Sequence, residues 1–471
     1  MKEVMETEVI TTRRRSHLRK LMWGALIASP FLFLLAWRGY EWYLDRDLRA
    51  AIADADRLDP GWRLADLEAA RAEIPDEQNA ALQVLVAHRL IGPFWNSKSA
   101  VSLEEELEHL SPEKQINRDQ EERLRKVFVN TIAAIRAGGR LSEMPRGRYS
   151  ILWSDDAVGT LVPHMQQAGE LAGLLRLEIL WRVHCLDIDG AVATCRAVLN
   201  VGRSFGDEPV AITQLIRLQY RVWCLRGLER ALAQGEASEA ALAEVQRLLE
   251  DESEQPLLLV AVRAERAGMH QFLEFVVAGG QYRAKFGMRS RTGSNKIDEF
   301  FDRGDAHGCH AAYLRYLNQC VEIAKLPPEQ QVESLAHFEL QPPVNVPQLL
   351  VALGEPNDFR LLARRFHASL AFLRCGIAAL ATERFRLANG RWPDRLEDLV
   401  PLYLSKLPID PFDGQPLHLR RLKDGVIIYT VGEDQEDDGG QRVRVKAGQP
   451  DRDVGFQLWD PEHRRQPSGQ N

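Results

Sequence analysis

The sequence predicts a mainly α protein: an N-terminal transmembrane helix, an α-helical hairpin array, and a C-terminal α+β module built from a long helix and a small antiparallel sheet. Three observations predict it. An uncharged apolar run covers Leu21–Trp37, apolar residues recur at helical spacing through Leu161–Val277, and an alternating pattern flanks the Lys423-Asp424-Gly425 turn. With 471 residues, 45% hydrophobic and 27% charged, the chain has room for two or three domains and is too apolar for disorder. The expected organisation is a basic cytoplasmic N-terminus at 1–20, a transmembrane helix at 21–37, an extracytoplasmic α-helical domain at 38–350 and an α+β module at 356–471. Acidic and basic residues are mixed throughout and the formal charge is only −7, so nucleic acid is not an expected partner.

The run Leu21–Trp37 reads LMWGALIASPFLFLLAW and would span about 26 Å as a helix. Trp37, Tyr40, Trp42 and Tyr43 would mark one membrane interface, while Arg13, Arg14, Arg15, Arg19 and Lys20 predict that the N-terminus stays in the cytoplasm. This places the protein in the inner membrane as a single-pass chain. Its expected partners are the lipid bilayer, through residues 21–37, and an envelope protein. No small-x-small site follows the run, which argues against a cleaved signal peptide, and Pro30 would kink such a helix without forbidding it. Six scattered cysteines are too few for a disulfide framework; Cys185 and Cys195, at the ends of two expected antiparallel helices, are the pair placed to bridge in an oxidising compartment.

After the membrane run, charged Ala-rich helix continues to Ala70, broken by the Asp59-Pro60-Gly61 turn. A helix is expected from Asp76, with Leu82, Leu85, Val86 and Leu90 on one face. Polar Ser97–Glu121 reads as a surface connection before a helix at Glu122–Ala137. From Leu161 three stripes recur: Ala191, Cys195, Val198 and Leu199; Leu215, Leu218, Val222 and Leu225; Leu242, Val245, Leu248 and Leu249. Turns as short as Asp187-Ile188-Asp189-Gly190 imply antiparallel hairpins. Glycines and net positive charge make Ala278–Asp298 a solvated loop, helix resumes through Leu317 and Ile323, and the proline-rich Gln341–Pro347 is the expected domain boundary.

The final module begins with a long helix, Asp358–Ala388, in which Leu370, Leu373, Ile377 and Leu380 share a face and which stops at Asn389-Gly390. Leu396, Leu399 and Val400 suggest a short amphipathic helix. Leu417 and Leu419 then alternate toward the turn at 423–425 before Val426–Val431, a hairpin.

Three blocks in this module carry a family resemblance: Glu383-Arg384-Phe385-Arg386-Leu387 with Asn389-Gly390-Arg391-Trp392-Pro393; Asp410-Pro411-Phe412-Asp413-Gly414-Gln415-Pro416; and Tyr429-Thr430-Val431-Gly432-Glu433-Asp434. Together they resemble the C-terminal half of the G-type major pseudopilin of type II secretion systems, over about the last quarter of the chain. The resemblance implies a loop that binds calcium through aspartates and main-chain carbonyls. On this sequence it implicates Asp434, with Asp437 and Asp438 as the next carboxylates and Val431 through its carbonyl. Two departures stand out. No acidic residue lies inside Leu21–Trp37, so leader processing and assembly into a fibre are not expected, and more than three hundred residues separate the apolar run from the module. As a whole the chain is similar to bacterial single-pass membrane proteins that carry such a module.

The loop composition points the same way independently of any family. Glu433, Asp434, Glu436, Asp437 and Asp438 crowd together and repel unless solvent or a cation separates them. Glycines 432, 439 and 440 would let carbonyls turn inward toward a hard ion that takes six to eight oxygens.

Other constellations carry less. Gly202-Arg203-Ser204-Phe205-Gly206 fits a nucleophile-elbow pattern, but a helix precedes it where a strand is required. Asp302, Asp305, His307, Cys309 and His310 are metal-capable yet too close in sequence to close a tetrahedral site alone. Trp153, Ser154, Asp155, Asp156 and His164 include acid, base and hydroxyl types without a pattern that fixes geometry. The expectation is therefore a non-enzymatic structural or interaction protein with a calcium-stabilised terminal module. The alternatives are an envelope hydrolase with its site in the helical domain, or a divergent secretion subunit.

Overall fold

Helix α1 (Lys2–Leu58) opens the chain in a computed structural model, which describes residues 2–92, 103, 106–107, 109–280, 294–338, 359–440 and 453–468. The helix stops where Pro60 withholds an N–H and Gly61 takes φ +74°. Its C-terminal turns are clamped to the body. Asp47 binds Arg315 at 2.6 Å, Asp45 meets His307 at 3.0 Å, and Asp59 is held by Arg263 and Arg266. Further toward the N-terminus the described apolar side chains lie open, with Phe31 66% and Leu35 70% exposed.

This helix corrects the expected membrane placement. Among the described residues no helix is long and apolar enough to cross a membrane, which overturns a transmembrane helix at 21–37 and the single-pass inner-membrane topology built on it. The physical reason is the shortness of the uncharged run. It covers about 26 Å against a hydrocarbon core of about 30 Å, contains Gly24, Ser29 and Pro30, and sits between Lys20 and Arg38 in an otherwise charged helix.

The helical array follows the expected order. It comprises α2 (Leu64–Ala69), α3 (Ala80–Arg89), α4 (Arg118–Gly139), α5 (His164–His184), α6 (Ile188–Arg203), α7 (Ala211–Gln234), α8 (Glu239–Ser253), α9 (Leu257–Val277), α10 (Asn295–Ala324) and α11 (Pro328–Ala336). Local chemistry sets several starts. Asn79 accepts from the Ala81 amide, Asn117 and Gln120 form a capping box, Asp187 accepts from Gly190, and Ser238 accepts from Ala241. The stripes of α6 and α8 face inward as the spacing requires, Ala191, Cys195, Val198, Leu199, Leu242, Val245 and Leu249 being fully buried and Leu248 half-buried; on α7 Leu225 and Leu218 are buried, while Leu215 and Val222 are only half-buried. On α3 the expected face is wrong. Ala80, Ala81, Val84 and Ala87 are buried, whereas Leu82, Val86 and Leu90 are exposed. Cys185 and Cys195 are not bridged, and all six cysteines are free.

Helix α12 (Phe359–Asn389) ends at Gly390 with φ +68°, the left-handed stop the sequence predicts. A 3-10 turn at Leu396–Leu399 stands where the short amphipathic helix was expected. Strands β1 (His418–Arg421), β2 (Gly425–Thr430) and β3 (Val454–Trp459) form an antiparallel sheet in that order, with Leu419 opposite Ile428 and Ile428 opposite Phe456. The hairpin is as expected; β3 is an addition that leaves β2 central and buried at every position. Gly425 is required where β2 meets β3, since a Cβ there would lie 1.9 Å from the Leu458 carbonyl oxygen.

One core joins α3, α5–α8, the C-terminal half of α12 and the sheet, through residues such as Leu228, Leu380, Ile428 and Phe456. A second joins α9, α10 and α11 to the first turns of α12, through Phe272, Tyr316, Phe359 and Phe366. The proline-rich boundary at 341–347 and most of the basic loop within 278–298 lie outside the described residues.

Candidate functional site

The acidic loop leaves the end of β2, and its first fixed point is Asp410. This carboxylate is fully buried; Oδ1 accepts from Phe412 N and Oδ2 from Val431 N, both at 2.9 Å. Burial pushes its pKa up to about 6, against the lowering pull of those two amides. Asp410 thereby ties the Asp410–Pro416 turn to the base of the acidic loop. Gln435 adds a second tie, donating Nε2–H to the Phe412 carbonyl at 2.8 Å.

From Val431 the chain turns through Gly432 at φ +71° and again through Gly439 and Gly440 at φ +72° and +75°, as the glycines lead one to expect. The carboxylates then separate. Glu433 pairs with Arg364 on α12. Asp434 Oδ1 accepts from the Glu436 amide at 3.2 Å, closing its own turn. Asp437 Oδ1 accepts from Gly439 N at 2.8 Å and from the Tyr429 hydroxyl at 3.1 Å, and its Oδ2 lies 3.9 Å from His418 Nδ1. Of the four expected ligands, Asp437 and Asp438 are the two near a shared neighbour, whereas Asp434 is committed locally.

That neighbour is Asp453, which the sequence did not single out. It precedes β3, is 5% exposed, and accepts from Gly440 N at 2.6 Å through Oδ2. Among the described residues its buried Oδ1 has no hydrogen-bond partner. Burial raises its pKa, the Gly440 and Asp438 amides lower it, and the charges of Asp437 and Asp438 raise it again. A buried carboxylate with one vacant oxygen beside two further carboxylates is an arrangement that a hard cation relieves.

A different group, Asp460, Glu462 and His463, brings three donor atoms within 4.8 Å of one another. Its charge is already answered: Arg421 donates to both Asp460 oxygens at 3.0 and 2.9 Å, and Trp392 Nε1 donates to Oδ1 at 2.6 Å. Nothing in this set favours calcium over another ion.

The remaining constellations disperse. Ser154 donates to Asp156 at 2.5 Å, while His164 pairs with Glu208 at 3.1 Å and stacks on Tyr149 at 4.2 Å. Ser204 caps the end of α6, buried, and donates to Val201 O at 2.6 Å. On α10, His307 turns to Asp45, Asp305 is exposed, Cys309 bonds within its helix, and His310 Nε2 meets His270 Nδ1 at 2.9 Å. The Asp302 side chain lies outside the described set.

Comparison with known proteins adds no relative. No family model, no curated protein and no solved structure matches the chain. The functional reading therefore rests on the geometry above.

Proposed function

We propose that this is a non-catalytic interaction protein that meets a partner chain through α1 and carries a pseudopilin-like, calcium-stabilised C-terminal unit. The observation that carries the interaction role is the contrast within α1. Its base is held by Asp45, Asp47 and Asp59, while Trp23, Leu26, Phe31, Phe33 and Leu35 are each more than 60% exposed. A long contiguous apolar surface on a rigidly held rod suits association with another apolar surface. Phe33→Glu with Leu35→Lys should remove co-purifying protein and leave the melting temperature unchanged. An unaltered set of bound proteins would count against the role.

Support for calcium comes from the vacant Oδ1 of Asp453 beside Asp437 and Asp438, with the Val431 carbonyl and Asp434 as further oxygens in the same loop. The ion would supply charge neutralisation, drawing the loop onto the sheet edge. In the full chain, millimolar calcium should raise the melting temperature over that in chelator, and Asp437→Ala with Asp438→Ala should abolish the difference. Identical melts of the parent protein in both conditions would exclude the ion.

A further inference from the structure

The second core leaves a half-open cavity of about 210 Å³ between the α8–α9 turn, the end of α10, α11 and α12. Leu257, Leu326, Phe366 and Leu370 line it with hydrocarbon, and Arg221 and Arg374 bring guanidinium groups to it. Glu254 also lines it, exposed to solvent.

Two independent features mark one end of this space for an anion. The first is the start of α9, a helix of 21 residues whose N-cap is Pro256 and which has no side-chain cap. Leu257 N reaches Gln255 O and Val260 N reaches Pro256 O, but among the described residues no acceptor meets the amides of Leu258 and Leu259. Those amides carry the positive end of the helix dipole. The second feature is Arg221, 2% exposed, whose Nη2 donates to Glu252 at 2.9 Å while its buried Nε has no acceptor. Behind it Glu252 also receives Arg203 and Arg217, so three guanidiniums surround one fully buried carboxylate, relieved only by the exposed Asp251 on Arg203. Behind Arg221 the buried cluster therefore holds one more guanidinium than carboxylate, while on the wall itself Arg374 is paired with Glu329 at 2.6 Å and Lys325 with Glu322 at 2.6 Å.

We propose that this cavity binds a short aliphatic monocarboxylate, its carboxylate on the Leu258 and Leu259 amides and the Arg221 guanidinium, its chain against Phe366 and Leu370. The size fits: at interior packing density 210 Å³ takes a molecule of roughly eight non-hydrogen atoms. Hydrocarbon lining excludes a bare inorganic anion as the preferred occupant, because such an ion would leave Phe366 and Leu370 facing an unfilled space. His367 does not compete for the carboxylate; burial pushes its pKa down to about 4 and its Nε2 already meets Gln331 at 3.0 Å. The site is independent of both α1 and the acidic loop.

Calorimetric titration of the full chain with hexanoate tests this, with hexanol and inorganic phosphate as probes that lack the charge or the chain. Hexanoate should bind saturably with a Kd below about 1 mM, and neither control should bind or displace it. Leu370→Trp, which fills the apolar end, should abolish binding. Arg221→Lys keeps a cation on Glu252 but removes the Nε–H, and should weaken binding about tenfold. No saturable hexanoate heat, equal binding of hexanol or phosphate, or undiminished binding in a folded Leu370→Trp protein would overturn the proposal. Should either variant fail to fold, the three titrations of the parent chain decide alone.

Discussion

Asp410 holds Val431 by its main chain: Oδ2 accepts the Val431 amide at 2.9 Å while Oδ1 holds Phe412 N at the same distance. One buried carboxylate thus fixes where β2 ends and the acidic loop begins. Its pKa, pushed up to about 6 by burial, makes its contribution pH-dependent. Between about pH 4 and 6 the folded chain keeps a proton that the unfolded chain has released, so stability falls as pH rises through that window and is flat above it. Asp410→Asn should remove this component, read from urea midpoints at about pH 4 and pH 7. An equally steep decline in the variant would assign it to another group.

The His270–His310 pair predicts the opposite slope. Burial, with Arg63 and Arg266 near His270, lowers the two pKa values to about 4 and about 3, so both rings stay neutral when the unfolded chain would protonate them. Stability from this pair is present above about pH 6.5 and is lost as pH falls toward 4. His310→Phe should flatten the acid limb of the stability curve. Because the Asp410 and histidine trends oppose each other, only the difference between each variant and the parent is diagnostic.

Glu252 is a fully buried charge in the array. Burial would raise its pKa, but the charges of Arg217 and Arg221 and the hydrogen bond from Arg217 bring it down to about 2. Its stabilisation is therefore complete above about pH 4.5 and fails as pH drops toward 2. Glu252→Gln leaves the buried guanidiniums of Arg217 and Arg221 without their counter-charge, Arg203 keeping Asp251, and should cost about 3–5 kcal/mol in equilibrium unfolding. A loss under about 1 kcal/mol would mean that solvent reaches the arginines.

Cysteine reactivity checks the packing of the array. Cys185 is exposed and the other five cysteines are buried. Native protein should take up one maleimide, slowly, since partial burial and the charges of Asp187 and Glu121 raise the Cys185 thiol. Denatured, non-reduced protein should take up six. Four in the denatured chain would reveal a bridge.

Legibility followed the source of the signal. The faces of α6, α7 and α8 were readable because large apolar residues alternate with charged ones at helical spacing and Asp187 and Ser238 mark the starts. Helix α3 was misread for the converse reason. Its buried side consists of Ala80, Ala81, Val84 and Ala87, small residues that let neighbours approach, while Leu82, Val86 and Leu90 stay outside and Leu85 packs on the core half-buried. Strand β3 went unread since six residues, VGFQLW, fit a buried strand or a helix turn equally until a partner strand is known. Missing β3 meant missing Asp453, which stands just before that strand and meets Gly440, 13 residues earlier in the chain. Asp410 was visible as part of a motif, but its role as a bracket depends on a contact to Val431 that no local pattern encodes.

Helix α12 places Phe359 and Phe366 in one core and Phe372, Leu380 and Phe385 in the other, on a single continuous rod. Any force or solvent that frees one end must either break the rod or pull apolar surface out of the opposite compartment. Heating should accordingly melt both compartments in one step, and whatever steadies the sheet at the tail will be felt by α9 and α10 at the far side of the molecule.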